Sequence, residues 1–570
     1  QYNHPCVITW SMGNETVDGP NFAAARKWIK SVDSTRPVQW HPAFGGDNTD
    51  IFCPMYHTHK NSEAYAADES KTKPIIQCEY NHTMGNSGGG LKEYWELVRK
   101  YPRYQGGFIW DFADQGLRVK KDTYYYGGDF DATDPSDNNF NCNGVFHPDR
   151  TPQPHAYEVK YQYQNIWTKP VDLKKGKVDV YNEHFFCSLD GYEMRWQLLN
   201  DGHVVQKGSI DLAQFNVKPQ ESREVTLPYN LMNYDGELIV KVAYFLKNDE
   251  VLLKAGHEVA YQQMTILPYK YDVVVAGNVA DIDMTDLYAK LERELKGKKS
   301  AAQYHCPDGF RVKNIRPNFW RALTDNDLGA SLDKESGVWK KPQMTLRESA
   351  KVSENKKING KKVLVSVMRN IFDMPEVEAT FIQTFTCMPD GVVKYEQEMK
   401  PYGNNHPDMM RFGILADLAK DTQYMTYYGR GPVENYCDRN ENALLGIYQE
   451  TVDEQFFPYI RPQSTGTKTD ARWLEIGGYR IISDAPFTFS ALNYTQAELD
   501  ETEIKEPAVG GKHQRHPSDL HLADHVELSL NLAEAGVGGV ESWSKEAKAL
   551  PQYCVSYGDK KMTLYFIPIR

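Results

Sequence analysis

Two glutamates have the setting that proton transfer and nucleophilic attack require. Glu15 closes the run Trp10-Ser11-Met12-Gly13-Asn14-Glu15, and Glu79 follows the apolar run Ile75-Ile76-Gln77-Cys78, 64 residues further on. A single Glu is in most proteins a solvated surface charge. That reading weakens when the residue ends a strand-like apolar run and, as with Glu79, has Tyr80 and His82 beside it. Two carboxylates at strand ends facing each other at ~5 Å can divide the work of a retaining displacement at a glycosidic carbon. One attacks and forms a covalent ester. The other gives a proton to the leaving group and later takes one from water. Their surroundings must separate their proton affinities for this division to hold.

The elements that position this pair follow from hydrophobic periodicity. Apolar runs at 6–10, 38–40, 51–53, 74–78 and 108–110 predict five short buried strands. Phe22, Ala25, Ile29 and Val32 recur at helical spacing before Pro37, as do Leu91, Tyr94, Trp95 and Val98. Strands alternating with helices predict a parallel sheet with crossover connections. Each strand leads to a polar residue: Glu15, His41, Tyr56, Glu79 and Asp111. Functional residues at the carboxyl ends of parallel strands are the arrangement of a (β/α)8 TIM barrel. Five strands make only part of one. Residues 1–160 are therefore expected to be the carboxyl-terminal part of a barrel domain, entered midway, with an open five-stranded α/β sheet as the alternative.

Further on, the periodicity changes. Lys177–Tyr181, Arg195–Leu199, Val204–Ile210 and Glu237–Phe245 alternate as antiparallel strands do, and Asn200-Asp201-Gly202 is a hairpin signal. Residues 161–267 have the length of an Ig-like β-sandwich. Residues 268–570 carry short strands and turns, with one helical piece at Thr285–Leu295, and predict a large β-sandwich. The expected class is multidomain, α/β plus all-β.

Composition narrows the partners. The chain has 570 residues and a net charge of −12, which disfavours a phosphate backbone as partner, so no nucleic acid is expected. No apolar run approaches the ~20 residues of a membrane span, and no basic stretch leads into an apolar one at the start, so neither a membrane helix nor a signal peptide is expected. The aromatic content of 12% suits carbohydrate surfaces and β-sandwich cores equally. Nine cysteines without a C-x-x-C pair argue against a disulfide framework or a zinc site. Free, mostly buried thiols are expected, which slightly favours the cytoplasm over the periplasm.

Beyond these readings, the chain resembles β-galactosidases of glycoside hydrolase family 2. The matching stretches run in family order: Asn3-His4-Pro5 into Trp10–Glu15, Trp28–Asp33 with Thr35–Val38, Cys53–Tyr56, Cys78–Ser87, Gln105–Asp111 and Gly127–Phe130, then Asp325–Asp327, Gly429–Tyr436 and Ser542–Ser544. The resemblance implies that Glu15 is the acid/base, that Asn14 binds the sugar 2-hydroxyl and that Glu79 is the nucleophile. It implies that Tyr56 hydrogen-bonds the nucleophile and helps its departure, that His82 contacts the galactosyl group, and that Trp110 is the sugar platform. Trp543 would come from the last domain to the aglycone side. Glu15 would also be one ligand of magnesium, and Phe140 and Asn143 would bind sodium through the Phe carbonyl and the Asn side chain. A tryptophan face suits the C–H face of a pyranose, and both Trp110, at a strand end, and Trp543, in the Gly-rich loop 536–544, lie where such a contact is feasible.

The implied activity is retaining removal of terminal β-D-galactose from small β-galactosides or oligosaccharides, in an enzyme that is a homo-oligomer. Three other readings stand beside it. The first is a related β-glucuronidase or β-mannosidase. The second is a chain inert, or merely complementing, without an amino-terminal part. The third is a carbohydrate-binding module, against which the paired glutamates count. Relatives carry a jelly-roll, an Ig-like domain and the first barrel strands ahead of the matched region, and these supply the other magnesium ligands and a sodium-binding Asp. Both metal sites are thus expected to be half present.

Overall fold

The computed structural model describes residues 3–569 apart from 122, 132, 134, 233, 272–282, 298–301, 359 and 501–514. In its first part, strands and helices alternate as β1 (Trp10–Ser11), α1 (Pro20–Val32), β2 (Val38–Gln39), α2 (His59–Ala67), β3 (Ile75–Tyr80), α3 (Leu91–Lys100) and β4 (Tyr104–Ile109). The strands form a parallel ladder. Trp10 lies opposite Val38, Phe52 opposite Ile75, Met55 opposite Glu79 and Tyr80 opposite Ile109. The ladder continues past β4, where Ala113 pairs parallel with Phe146. This is the parallel sheet of a partial barrel, with every strand's carboxyl end on one rim.

Local sequence explains the helices. Pro20 opens α1, where a missing N–H costs nothing. Gly90, at φ +75°, makes the left-handed turn into α3, and Arg99 and Lys100 sit in its last turn, where cations favour the helix dipole. Leu91 and Tyr94 put α3 into a core with Ile75, Tyr80 and Tyr104. Val540, from near the chain's carboxyl end, completes that core.

Two expected strands differ. The run at 6–10 yields only Trp10–Ser11, with Cys6 exposed and Ile8 75% exposed. Among the described residues β1 has a sheet neighbour on one side only, so residues 6–9 have no ladder to join. The run at 51–53 forms single bridges rather than a continuous strand, although Phe52 makes ladder hydrogen bonds on both sides of Ile75, its N–H donating to Pro74 O and its carbonyl accepting from Ile76 N–H. Helix α2 leaves no clear mark in the sequence, because its buried face is only Ser62 and Ala66, too weak a periodicity to signal a helix.

Helix α4 (Pro154–Gln162) leads into two antiparallel sheets, of three and four strands, between Ile166 and Leu267. Strand Lys177–Asn182 buries every second residue, and its Val178 and Val180 share a core with Met194, Leu198, Val240 and Val242 of the facing sheet. The turn Asp201-Gly202 has φ of +45° and +81°, as a two-residue hairpin requires, and joins Asn200 to His203 across the pair. The remainder is a 12-stranded antiparallel sheet wrapped on one large core. Helix α5 (Thr285–Gly297) covers part of it through Leu287, Leu291 and Leu295, and α6 (Asp325–Gly329) lies at the end nearest the partial barrel. All nine cysteines are free, but only Cys53 and Cys142 are buried, while Cys6, Cys187 and Cys306 are exposed. The expectation of mostly buried thiols is thus corrected: several lie in loops and turns with no core to enter.

Candidate active site

Glu79 lies near the end of β3, and Tyr56 faces it from the neighbouring strand. The Tyr56 N–H donates to Glu79 O at 2.8 Å, which locks the two backbones side by side. Tyr56 has φ +46°, a left-handed conformation rare for a non-glycine residue. Its hydroxyl donates to Glu79 Oε2 at 2.6 Å. Burial raises the Glu79 carboxyl above its ordinary value; the Tyr56 hydrogen bond opposes this, and the charge of Glu15 adds to it. Burial and the carboxylate partner hold the Tyr56 phenol far above its own, so it stays a donor.

Glu15 sits beyond the end of β1, exposed, with φ +51°. Its charge reaches Glu79 and Tyr56, and it also opposes the downward push that burial gives His41. The two glutamates thus lie at the carboxyl ends of strands on the same rim, one half-buried and one open to solvent. Asn14 precedes Glu15 and is exposed, its carbonyl accepting from Thr16 Oγ1 at 2.8 Å.

Aromatic rings wall this rim. Trp543 packs edge-on to Tyr56 at 4.8 Å and to His82 at 5.2 Å. His82 meets Tyr56 at 5.6 Å and Phe140 at 6.1 Å. Trp543 comes from the last loop of the large sandwich, yet stands among residues of the partial barrel, and 47% of its surface is exposed. Trp110 ends the run after β4 with 39% exposure, and its carbonyl accepts the Thr83 N–H at 2.9 Å. The structure thus brings Glu79, Tyr56, His82, Trp543 and Phe140 into contact, and sets Trp110 beside the His82 loop. Asn14 makes no such contact among the described residues.

The loop after Glu79 is clamped onto the large sandwich. Asn86 N–H donates to Gln463 Oε1 at 3.0 Å, and Asn86 Nδ2 donates to Tyr436 Oη at 2.9 Å and Ser464 O at 2.8 Å. Arg439, wholly buried, donates to Ser87 O. Gly89 N–H donates to Gly538 O at 2.8 Å, and a Cβ on Gly89 would stand 2.0 Å from Asp438 Oδ2, so any larger residue would force Asp438 to shift. Asp325 Oδ1 accepts from Asn139 Nδ2 and Arg461 Nε, each at 2.8 Å, tying the Phe140 segment to α6. The rim is therefore one surface built from two units of the chain.

Comparison with known proteins agrees with this geometry. Residues 1–168 match the model for the TIM barrel domain of glycosyl hydrolases family 2, residues 178–266 that for domain 4 of β-galactosidase, and residues 295–567 that for the β-galactosidase small chain. Three consecutive stretches of the chain are thus similar to domains of family 2 glycosyl hydrolases and of β-galactosidases. A β-galactosidase of Priestia megaterium is 35% identical over 99% of this chain and 54% of its own length. One of Halalkalibacterium halodurans is 32% identical over 95% of this chain and 54% of its own. The chain spans about half the length of the curated relatives it matches.

The metal ligands that the family resemblance implies can be tested on the residues themselves. Asn143 Nδ2 donates to Phe140 O at 2.6 Å, while Asn143 Oδ1 is buried without a hydrogen-bond partner. A buried, orphaned amide oxygen beside a carbonyl is a donor set that fits a hard cation such as sodium. Glu15 does not fit a magnesium site by itself. Among the described residues the group of three potential ligands is Asp417, His525 and Glu527, in the large sandwich. There the Arg316 guanidinium already pairs with both carboxylates.

Sequence reasoning missed Asp325, Asn326, Arg439 and Ser542 as parts of the site. Asp325–Asp327 is a stretch of the family resemblance that carried no assigned role, and in Ser542–Ser544 the resemblance gave a role to Trp543 alone. Thr324 with Asp327 forms a capping box that opens α6, a pattern readable as Thr-x-x-Asp.

Proposed function

We propose that this chain carries the nucleophile and the acid/base of a retaining β-galactosidase. The observation that carries the reading is the Tyr56 hydroxyl 2.6 Å from Glu79 Oε2, with the Glu15 charge acting on the same carboxyl. Glu79 attacks the anomeric carbon as the glycosidic bond breaks, and Glu15 protonates the departing oxygen. Glu15 then takes a proton from water, which attacks the same carbon and releases Glu79. Tyr56 stabilises the charge on Glu79 before attack and again as it leaves. Asn14 is assigned the sugar 2-hydroxyl, His82 the galactosyl group, Trp110 the sugar platform and Trp543 the aglycone.

Sodium is assigned to Phe140 O and the Asn143 side chain, where it would fix the segment beside His82. Magnesium at Glu15 needs further ligands, and no step is routed through it. Among the described residues the parallel sheet has an unpaired edge at β1, which supports the further proposals that turnover needs an amino-terminal part and that the active protein is a homo-oligomer. The test is a panel of nitrophenyl glycosides hydrolysed by the protein carrying this chain, with and without added amino-terminal polypeptide. The β-galactoside should be the best substrate. Preference for the glucuronide or mannoside would overturn the galactose assignment, and full activity of the chain alone would overturn the need for a partner.

A further inference from the structure

His82 reaches across the sequence to Ser542, and the hydrogen bonds beyond Ser542 have a polarity that can be read. Asn326 Nδ2 donates to Val537 O at 3.1 Å, which settles the orientation of that amide and leaves Oδ1 facing Ser542. The Ser542 hydroxyl donates to Asn326 Oδ1 at 2.6 Å. A hydroxyl has one proton, so Ser542 Oγ can only accept from its other neighbour, His82 Nδ1, at 2.7 Å. The opposite polarity would leave Ser542 Oγ and Asn326 Oδ1 as two acceptors in contact without a proton between them.

His82 is 2% exposed and its Nδ1 faces a hydroxyl rather than a carboxylate, a setting that favours the neutral ring. A neutral imidazole carries one N–H. Here Nδ1 spends it on Ser542, and Nε2 keeps a lone pair. The same ring has its edges against Tyr56, Trp543 and Phe140, inside the aromatic wall of the site.

The relay is rigidly mounted. Arg321 holds Asp327 by two hydrogen bonds, Nε to Oδ2 at 3.0 Å and Nη2 to Oδ1 at 2.9 Å, and it donates as well to Ala535 O and Gly536 O. Gly329 ends α6 so close to the next loop that a Cβ there would lie 2.1 Å from Ser542 O. Ser542 and Asn326 are 2% and 1% exposed. Neither side chain is exposed at the rim.

We propose that Ser542 and Asn326 are positioning residues that hold His82 in the Nδ1–H tautomer, so that Nε2 meets one sugar hydroxyl as a hydrogen-bond acceptor. The proposal rests on the glycosidase reading for the sugar, but not for the tautomer. It makes the large sandwich a determinant of sugar specificity through a residue of the partial barrel. The hydroxyl concerned must donate to His82, and its lone pairs then remain for other donors.

The test labels histidine with 15N in the full chain and assigns His82 by comparison with His82→Gln. Wild type should show a protonated Nδ1 and a bare Nε2. Ser542→Ala and Asn326→Ala should each move His82 toward the Nε2–H form, and Ser542→Thr should not. An Nε2–H ring in wild type, or an unchanged tautomer in both alanine variants, would overturn the relay. In parallel, kcat/KM is measured on a galactoside and its single-deoxy analogues. Ser542→Ala should lose about 10- to 100-fold on the parent sugar but only about twofold on the one analogue lacking the hydroxyl that meets His82. Equal losses on every analogue would show a merely structural role. The tautomer is read without turnover, so failure of the relay and failure of the glycosidase reading give different results.

Discussion

Replacing Tyr56 by Phe removes one hydrogen bond and almost no volume, and its effect can be worked from the geometry. The Tyr56 hydroxyl lies 2.6 Å from Glu79 Oε2, the short separation of a charge-assisted bond. Such a bond contributes about 1.5–3 kcal/mol. In the proposed reaction it is absent while Glu79 is esterified and returns as the carboxylate departs. Its loss should slow degalactosylation by the same free energy, about 10- to 150-fold in kcat. The pH dependence has a fixed sign. Burial and the Glu15 charge both raise the Glu79 carboxyl, and Tyr56 is the hydrogen bond that lowers it. Without it Glu79 holds its proton to higher pH, so the acid limb of kcat/KM should move upward. The assay is stopped-flow hydrolysis of a nitrophenyl galactoside with a good leaving group, where the variant should show a burst as the ester accumulates. A kcat within about twofold of wild type with an unmoved acid limb would refute the reasoning.

Other outcomes follow from the same structure. Glu15→Gln should lose most activity on poor leaving groups and little on activated ones, and added azide should restore turnover by forming the galactosyl azide; equal losses across leaving groups would count against the acid role. Trp543→Ala should raise KM about 2- to 10-fold, the loss of one aromatic contact, with a smaller change in kcat, as read from steady-state kinetics. Asp325→Ala removes the carboxylate that joins Asn139 to Arg461, a charge-assisted contact of about 1.5–3 kcal/mol, and should lower the urea midpoint; an unchanged midpoint would mean that this contact does not hold the two units together.

Much of the rim was legible because strand ends mark it. Tyr56 and Glu79 are each local features: an apolar run, then a polar residue, on neighbouring parallel strands. The hairpin at Asp201-Gly202 was legible for the same reason, since its backbone demand is local. Ser542 was not, because its partner His82 is 460 positions away and no periodicity links a serine in a glycine-rich loop to a histidine in another unit. Asp325 and Arg439 look like surface charges in sequence and are in fact buried at the contact between partial barrel and sandwich. The run at 6–10 failed differently. Its apolar residues resemble a buried strand, but burial needs neighbours on both sides, and β1 pairs with β2 alone among the described residues.

The central claim is that Glu79 becomes covalently bonded to the sugar. The protein carrying this chain should be incubated with a 2-deoxy-2-fluoro-β-galactosyl fluoride, digested at low pH and its peptides weighed. The account predicts the added fluorogalactosyl mass on the peptide containing Glu79, and its loss in Glu79→Gln. Labelling of another carboxylate, or wild-type labelling of the Glu79→Gln variant, would contradict it.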